Sequence, residues 1–226
     1  ALDFFRNYVH LDARFSPEVN VIYGENAQGK TNLLEAVAYL SSASSHRARY
    51  DRELIQFGVD HAFVKGEVAS RGRDFTLEAS LHRGARRQLL SNGVRLKNAG
   101  ELAGILNTVL FCPEDLYLIR AGAEARRKFL DQCICQLRPR YAVALAEYKR
   151  LREHKSRILR DSAEHPDLLD TLDDFSLRMA QCGAILVHYR AHFIKKLRQA
   201  APPIHADCSG GRERLELEDR TVSTGT

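Results

Sequence analysis

The sequence predicts an α/β fold in which a β-rich lobe is joined to a second, helical domain. Three observations lead to this prediction. A glycine-rich stretch lies between a short β-branched run and a helical pattern, alternating segments lie on both sides of it, and the second half carries long helical repeats. The 226 residues, 44% of them hydrophobic, can bury one sizeable core with a small second unit attached.

The glycine-rich stretch, GENAQGKT, fits the pattern G-x-x-x-x-G-K-[ST]. In a phosphate-binding loop of this kind (P-loop), backbone N–H groups wrap phosphate oxygens, the lysine reaches the β and γ phosphates, and the hydroxyl holds Mg²⁺. We therefore predict that this loop binds the triphosphate of ATP, with Thr31 on the metal. The predicted nucleotide-binding residues are Gly24, Glu25, Asn26, Ala27, Gln28, Gly29, Lys30 and Thr31.

The residues on both sides of the loop have the pattern that a P-loop requires. VNVIY, residues 19–23, is predicted to form a strand. Residues 31–40 are predicted to form a helix, whose N-terminus would direct its partial positive charge at the phosphates. The apolar residues expected on one face of this helix are Leu33, Leu34, Val37 and Leu40.

The remainder of the first half predicts antiparallel strands and hairpins. Residues 2–15 and 62–95 contain short alternating segments, punctuated by glycine and by the turn sequence SNG at residues 91–93. We therefore expect a β-lobe at about residues 61–97, beside the P-loop.

A P-loop that hydrolyses ATP also needs an acidic residue after a second apolar strand, to complete the Mg²⁺ site. The one candidate is TVLFCPED, residues 108–115, in which Pro113 interrupts the strand before Glu114 and Asp115. The sequence therefore predicts half of a phosphate-handling site, with no catalytic residue of its own.

The second half of the sequence predicts a helix at residues 125–137, followed by two long helices. Residues 125–137 and then 141–158 have helical spacing, and the sequence HPD at residues 165–167 breaks the pattern. The next helix carries a coiled-coil seam of alternating three- and four-residue steps: Leu172, Phe175, Met179, Cys182, Leu186, Tyr189 and Phe193. We expect an antiparallel helical hairpin that ends at APPIHADCSGG; an insertion that only supports the core stays open as an alternative.

These patterns predict three parts of the chain. Residues 1–132 would form the P-loop domain, residues 133–204 the helical hairpin, and residues 205–226 one or more strands that return toward the first domain. Five cysteines at irregular spacings predict reduced thiols in a cytoplasmic protein, and no apolar run approaches the roughly 18 residues of a membrane helix.

Several short stretches together make the chain resemble the bacterial RecF family. They are FRNY (5–8), NAQGKTNLLEA (26–36), SHR (45–47), DRELIQFG (51–58), PEDL (113–116) and RRKFLD (126–131). The family commonly has proline where this chain has Ala123. It also carries an ABC-type signature motif and a second acidic motif in its C-terminal part, and neither occurs here. The resemblance thus implies an N-terminal fragment, truncated at its C-terminus, of an ATPase head like those of SMC and ABC-type proteins.

The resemblance also implies a mechanism and partners. ATP would lie between two heads, so that it drives formation of a homodimer, and hydrolysis, weak and DNA-dependent in the full-length family, would release it. The family's partners are double-stranded and gapped DNA together with RecR and RecO, which support RecA loading in DNA repair. Carried to this sequence, Arg6 would approach the nucleotide, and Glu114 and Asp115 would lie in the region of the Q-loop.

Positive charge predicts where DNA would bind. A net charge of +5 and a pI near 9.0 favour polyanionic partners, and the cations concentrate at residues 82–87, 126–128 and 149–160. The candidate DNA contacts are Arg83, Arg86, Arg87, Lys149, Arg150 and Arg152. The alternative for the helical cluster is a solvated face with Glu147 and Glu153 as partners.

Two other functions stay open on the sequence. One is a self-contained P-loop NTPase or kinase, which would need its own lid and acidic partners. The other is a DNA-binding module whose nucleotide site is vestigial.

Overall fold

The structure is a computed structural model that describes residues 1–70, 72–118 and 120–218, without the side chains of Glu114 and Tyr117. The chain divides into two compact units, residues 1–139 and 140–226. The sequence placed this boundary after residue 132, which is too early. The helix Gly122–Leu137 (labelled α2 below) belongs to the first unit, where its Ile134 is buried and its Gln136 accepts the Thr108 N–H at 2.7 Å.

The first unit is built on an antiparallel sheet. The described strands run in the order β2-β1-β3-β4-β5-β6, and all neighbours are antiparallel. They are β1 (Leu2–Phe5), β2 (Tyr8–Leu11), β3 (His61–Ser70), β4 (Arg73–His82), β5 (Gln88–Ser91) and β6 (Val94–Arg95). The β5–β6 turn has positive φ at Asn92 and Gly93, as its SNG sequence indicates. The predicted β-lobe is therefore confirmed.

The helix after the P-loop, α1 (Lys30–Ser42), packs on this sheet with a face that overlaps the predicted one but is rotated from it, since Leu33 and Leu40 pack in the core as predicted. Ala36, Tyr39 and Leu40 are buried, whereas Leu34 is 45% exposed. This face packs closely on the sheet at Gly66 of β3, because a Cβ on Gly66 would lie only 2.7 Å from Leu40 Cδ1. The rotation also buries Glu35, which the charges of two arginines make possible.

Two predicted strands are not formed. Residues 19–23 and 108–111 have no strand hydrogen bonds within the described part of the chain. Their apolar side chains face solvent: Val19 is 80% exposed, Tyr23 89%, Val109 103% and Phe111 77%. The prediction failed because an apolar pattern forms a strand only where a neighbouring strand pairs with its backbone.

The second unit confirms the helical hairpin. Helix α3 (Pro139–Asp161) is followed by a short 3₁₀ turn (Pro166–Thr171) and by helix α4 (Leu172–Ser209). Arg190 Nε of α4 donates to the Tyr141 hydroxyl of α3 at 3.0 Å, and the Lys155 ammonium donates to Ser176 Oγ at 2.7 Å. The start of α3 thus meets the middle of α4, and the end of α3 meets the start of α4, as in an antiparallel pair.

The predicted seam is the buried stripe of α4. Cys182 and Leu186 are buried, and the other five seam residues are half-buried. Helix α4 nevertheless continues past the predicted end, with Pro202 and Pro203 inside it, and stops where Gly210 takes a left-handed conformation (φ 61°). Residues 205–209 are therefore helical and residues 210–218 form no strand, while residues 219–226 of the predicted return strand lie outside the described residues.

Among the described helices, none combines the length and apolar character needed to cross a membrane.

Candidate functional site

The P-loop leads directly into the N-terminus of α1. Gly24, Ala27 and Gly29 have φ of 144°, 67° and 105°, values in the region that favours glycine. Such residues turn successive backbone N–H groups toward one side and form a concave nest for anions. Gly29 is the N-cap of α1, and the first helical bond runs from the Leu33 N–H to the Gly29 carbonyl at 3.0 Å. The loop thus places its nest at the positive end of the helix dipole.

The Lys30 side chain lies inside the curve of this loop. Its ammonium donates to the carbonyls of Gly24 at 2.7 Å and Glu25 at 2.6 Å. The next residue, Thr31, is exposed in the first turn of α1. A cation and a hydroxyl-bearing residue therefore stand side by side at a helix N-terminus, residue types that suit a phosphate group and an oxygen-coordinated Mg²⁺.

Arg6 occupies the turn between β1 and β2, with a left-handed φ of 56°. The resemblance to the RecF family implied that Arg6 approaches the nucleotide; in the structure its guanidinium contacts α1. Arg6 Nε and Nη2 donate to the two carboxylate oxygens of Glu35, each at 2.9 Å, and Nη1 donates to the Glu53 carbonyl at 2.9 Å. A bidentate pair of this kind fixes orientation as well as charge, so Arg6 fastens the turn to the helix.

Glu35 is the central residue that sequence reasoning missed. It is fully buried, it accepts from the Ser45 hydroxyl, and its carboxylate lies 3.6 Å from Arg47 Nη1. Burial alone would raise the pKa of Glu35, but hydrogen bonds from Arg6 and Ser45 and the charges of both arginines outweigh it, so the pKa is lowered. The sequence did contain a signal for this residue. Glu35 is the single acid inside an apolar helical segment, and FRNY and SHR each contain an arginine that could pair with it.

A second set of hydrogen bonds, at the surface, also joins the β1–β2 turn, helix α1 and the SHR stretch. Arg47 Nη1 donates to Asn32 Oδ1 at 2.9 Å, and Asn32 Nδ2 donates to Asn7 Oδ1 at 2.8 Å. The stretches FRNY and SHR, which sequence analysis tied to the site only by resemblance, therefore meet at the first turn of α1.

The acidic candidates after the second apolar run have a local role. Asp115 lies in a short 3₁₀ turn (Pro113–Tyr117), where its Oδ2 accepts the Cys112 N–H at 2.8 Å. This contact caps the turn, as acids commonly do at helix N-termini. The Glu114 side chain is outside the described part of the structure.

The loop between β4 and β5 uses two of its three candidate DNA contacts for internal bonds. Arg87 Nη1 lies 3.0 Å from Asp51 Oδ2 and 3.4 Å from the Tyr39 hydroxyl, which itself donates to Asp51 at 3.0 Å. Arg83 Nε donates to the Val59 carbonyl at 2.9 Å. Arg86 is exposed at the surface of the loop. A DNA role for Arg83 and Arg87 would compete with these contacts.

Helix α3 presents the larger basic surface. Lys149, Arg150 and Arg152 are exposed, and Arg150 lies 3.9 Å from Glu147, which also accepts from Arg178 at 2.7 Å. Two further arginines, Arg157 and Arg160, line a shallow depression with Arg152. Lys149, Arg152, Ser156 and Arg160 recur at three- and four-residue steps and so lie along one side of the helix, over about 16 Å. Arg157 lies beside this row, three residues before Arg160, in the depression that Glu153 also lines. We call Lys149, Arg152, Arg157 and Arg160 the α3 basic face.

Comparisons with known proteins agree with this site. Residues 2–172 match the AAA domain family. RecF of Agathobacter rectalis is 40% identical over 95% of this chain and 59% of its own length, and RecF of Clostridium acetobutylicum is 35% identical over 96% and 59%. The structure of "the recombination mediator protein RecF-ATP in RecFOR pathway" is 33% identical with a TM-score of 0.87, over 95% of this chain and 57% of that one.

The chain thus spans about three fifths of the length of the curated relatives it matches. Its P-loop, β-lobe and helices lie within the part that is similar. The chain therefore belongs to the AAA domain family and is a homologue of RecF.

Proposed function

We propose that this chain is the P-loop part of a RecF-type recombination mediator and that residues 24–31 bind ATP with Mg²⁺. The observation that carries the proposal is the glycine-rich loop curved around the Lys30 ammonium at the N-terminus of α1. Phosphate oxygens are stronger acceptors for this ammonium than the neutral carbonyls of Gly24 and Glu25. Lys30 would then transfer its bonds to the phosphates, and the Thr31 hydroxyl would join the Mg²⁺ shell.

We further propose that the site is one face of a composite ATP site. The Glu35 carboxylate is occupied by two arginines, and Asp115 caps its own turn, so neither is placed as a base for water. In the full-length protein the C-terminal part of the head would supply the second acidic motif and the facing head would supply the signature motif, so that ATP drives homodimer formation and its hydrolysis releases the dimer. On this proposal the present chain binds ATP without efficient turnover, whereas the full-length protein is a weak, DNA-dependent ATPase.

The proposed DNA contact is the α3 basic face. Contacts with phosphates need clustered cations and no base recognition, so binding to duplex DNA would be independent of sequence. Arg150 shares Glu147 with Arg178 and is the weaker candidate in this helix. Arg86 remains the candidate in the β4–β5 loop.

The proposed partners follow from the relatives. A homologous RecF structure is described as belonging to the RecFOR pathway, which supports RecR and RecO as partners of this protein as well. We propose that the protein works in the cytoplasm on duplex DNA near single-strand gaps, where it supports RecA loading during repair.

The test is ATP turnover measured against the concentration of this chain, with Mg²⁺ and duplex DNA present. ATP binding with turnover absent at every concentration supports a one-sided site, and Lys30→Ala should then abolish the binding. Turnover per chain that stays constant on dilution would instead indicate a self-contained NTPase or kinase. DNA binding that ignores both ATP and the Lys30→Ala change would indicate a vestigial nucleotide site.

A further inference from the structure

We infer that Asn7, in the turn between β1 and β2, is a positioning residue for the P-loop, held in place by the Arg6–Glu35 pair. The inference rests on the proposed function, in which residues 24–31 bind a nucleotide. It concerns how the loop keeps its shape, and Asn7 need not touch the ligand.

The first observation is the contact between this turn and Gly29. A Cβ on Gly29 would lie 2.7 Å from Asn7 Oδ1, 2.8 Å from Asn7 Nδ2 and 2.9 Å from Tyr8 Cζ. These separations are too short for a real Cβ, so the two side chains pack directly on the glycine. Gly29 is the last residue of the loop and the N-cap of α1, and its φ of 105° already excludes most side chains. The turn therefore supports the loop where it becomes helix.

The second observation is that Asn7 also contacts the other side of the ligand-binding residues. Its Oδ1 accepts the Asn32 Nδ2 hydrogen at 2.8 Å. Gly29 precedes Lys30 and Asn32 follows Thr31, so one amide side chain spans the two residues that are predicted to hold phosphate and Mg²⁺. A shift of Asn7 would change both ends of this short segment together.

The third observation is that the turn has a strained backbone conformation, which several hydrogen bonds stabilise. Arg6 has a left-handed φ of 56°, which is strained for a residue other than glycine. The strain is offset by the two bonds to Glu35, by the bond to the Glu53 carbonyl, and by the Arg6 N–H, which donates to the Leu54 carbonyl at 2.7 Å. Because Glu35 lies one turn beyond Thr31 in α1, these bonds lock turn and helix together.

These contacts predict a distinct functional signature. Asn7 is exposed and uncharged, so its truncation should cost little global stability. Loss of the support should loosen the loop and weaken ATP and ADP alike, because both place a β-phosphate in it. A residue that contacted only the γ-phosphate would weaken ATP alone.

The experiment compares Asn7→Ala with Asn92→Ala, an exposed asparagine in the β5–β6 turn that accepts the Thr76 N–H at 2.7 Å. Calorimetry gives the Kd for Mg·ATP and Mg·ADP, thermal unfolding without nucleotide gives Tm, and hydrogen–deuterium exchange reports on residues 24–31. We expect Asn7→Ala to raise both Kd values about tenfold, the value of one lost hydrogen bond of 1 to 1.5 kcal/mol, and to speed exchange in the loop. Asn92→Ala should lower Tm and leave the Kd values and loop exchange unchanged.

Three results separate the possibilities. If the wild-type chain binds and Asn7→Ala leaves both Kd values and loop exchange at wild-type levels, Asn7 is only structural and the inference is wrong. If the wild-type chain binds neither nucleotide, the proposed function fails, and loop exchange alone still decides whether Asn7 supports the loop. Arg6→Lys, which keeps the charge but loses the bidentate geometry, should change Kd and exchange in the same direction as Asn7→Ala.

Discussion

Arginines of the first unit and arginines of helix α3 are the same residue type in opposite settings. Arg6 and Arg87 are paired with carboxylates and are at most one third exposed, whereas Arg152, Arg157 and Arg160 project from the solvent side of their helix. In the first setting the charge holds elements of the fold together. In the second it stays available to an anionic partner. Glu153 lines the same depression as the three exposed arginines, but no described ion pair joins it to them. The difference teaches that a basic cluster in a sequence can become a binding surface where the fold leaves its cations exposed and outside buried ion pairs.

The largest effect on stability should come from removing the Glu35 carboxylate, which pairs with the arginines of the first unit. Glu35→Gln leaves Arg6 and Arg47 without their buried countercharge, and we expect a loss of about 3 kcal/mol in the free energy of unfolding, measured with urea. The matched control is Glu153→Gln on the exposed side of α3, with an expected change below about 0.5 kcal/mol. Equal losses in the two variants would show that Glu35 is not a stabilising centre.

The next effect concerns the exposed set. Replacing Arg152, Arg157 and Arg160 together by glutamine should lower duplex affinity on the order of 100-fold at low salt and leave Tm within a few degrees of wild type. The slope of log K against log salt should become less steep by about 2.7, or 0.9 for each lost phosphate contact. An unchanged slope would place the DNA contact elsewhere on the molecule.

A smaller effect is expected from Arg87→Gln in the β4–β5 loop. This variant tests the prediction that a paired arginine does not contribute to DNA binding. Arg87 and Asp51 are both about one third exposed, so solvent screens the pair and its loss should cost only about 1 kcal/mol of stability. Duplex affinity should stay within about twofold, because the guanidinium is already engaged by Asp51 and Tyr39. A tenfold loss of DNA affinity with unchanged Tm would return Arg87 to the DNA surface.

Local patterns in the sequence predicted much of the fold. The P-loop, the alternating strands and the seam of α4 depend on neighbours close in the chain, and each is present in the structure. The strands at residues 19–23 and 108–111 failed because pairing partners cannot be read from one segment. The prediction of where α4 ends failed because it relied on the rule that proline stops a helix. Helix α4 instead continues through Pro202 and Pro203 and ends at Gly210.

The sequence predicted the loop residues of the candidate site but did not predict the residues that hold the loop and its helix in place. Lys30 and Thr31 follow from a motif, because the chemistry of phosphate needs those groups at that spacing. Glu35 and Asn7 make contacts with residues 29 and 25 positions away in the chain, which no local pattern encodes. Arg6 lay in a recognised stretch, but its partner, the buried carboxylate of α1, became evident only from the fold.

The smallest expected effect is a pH dependence that comes from Glu35. Its lowered pKa means that the carboxylate is stabilised in the folded state, so its contribution is complete above the ordinary glutamate value of about 4.3 and is lost as pH falls through the folded value. The difference in unfolding free energy between wild type and Glu35→Gln should therefore be constant from about pH 8 to 6 and shrink toward pH 3. Urea titrations at several pH values measure it. A difference that grows on acidification would mean that a protonated Glu35 is the stabilising form, and the two arginines of the first unit would then need another countercharge to explain their burial.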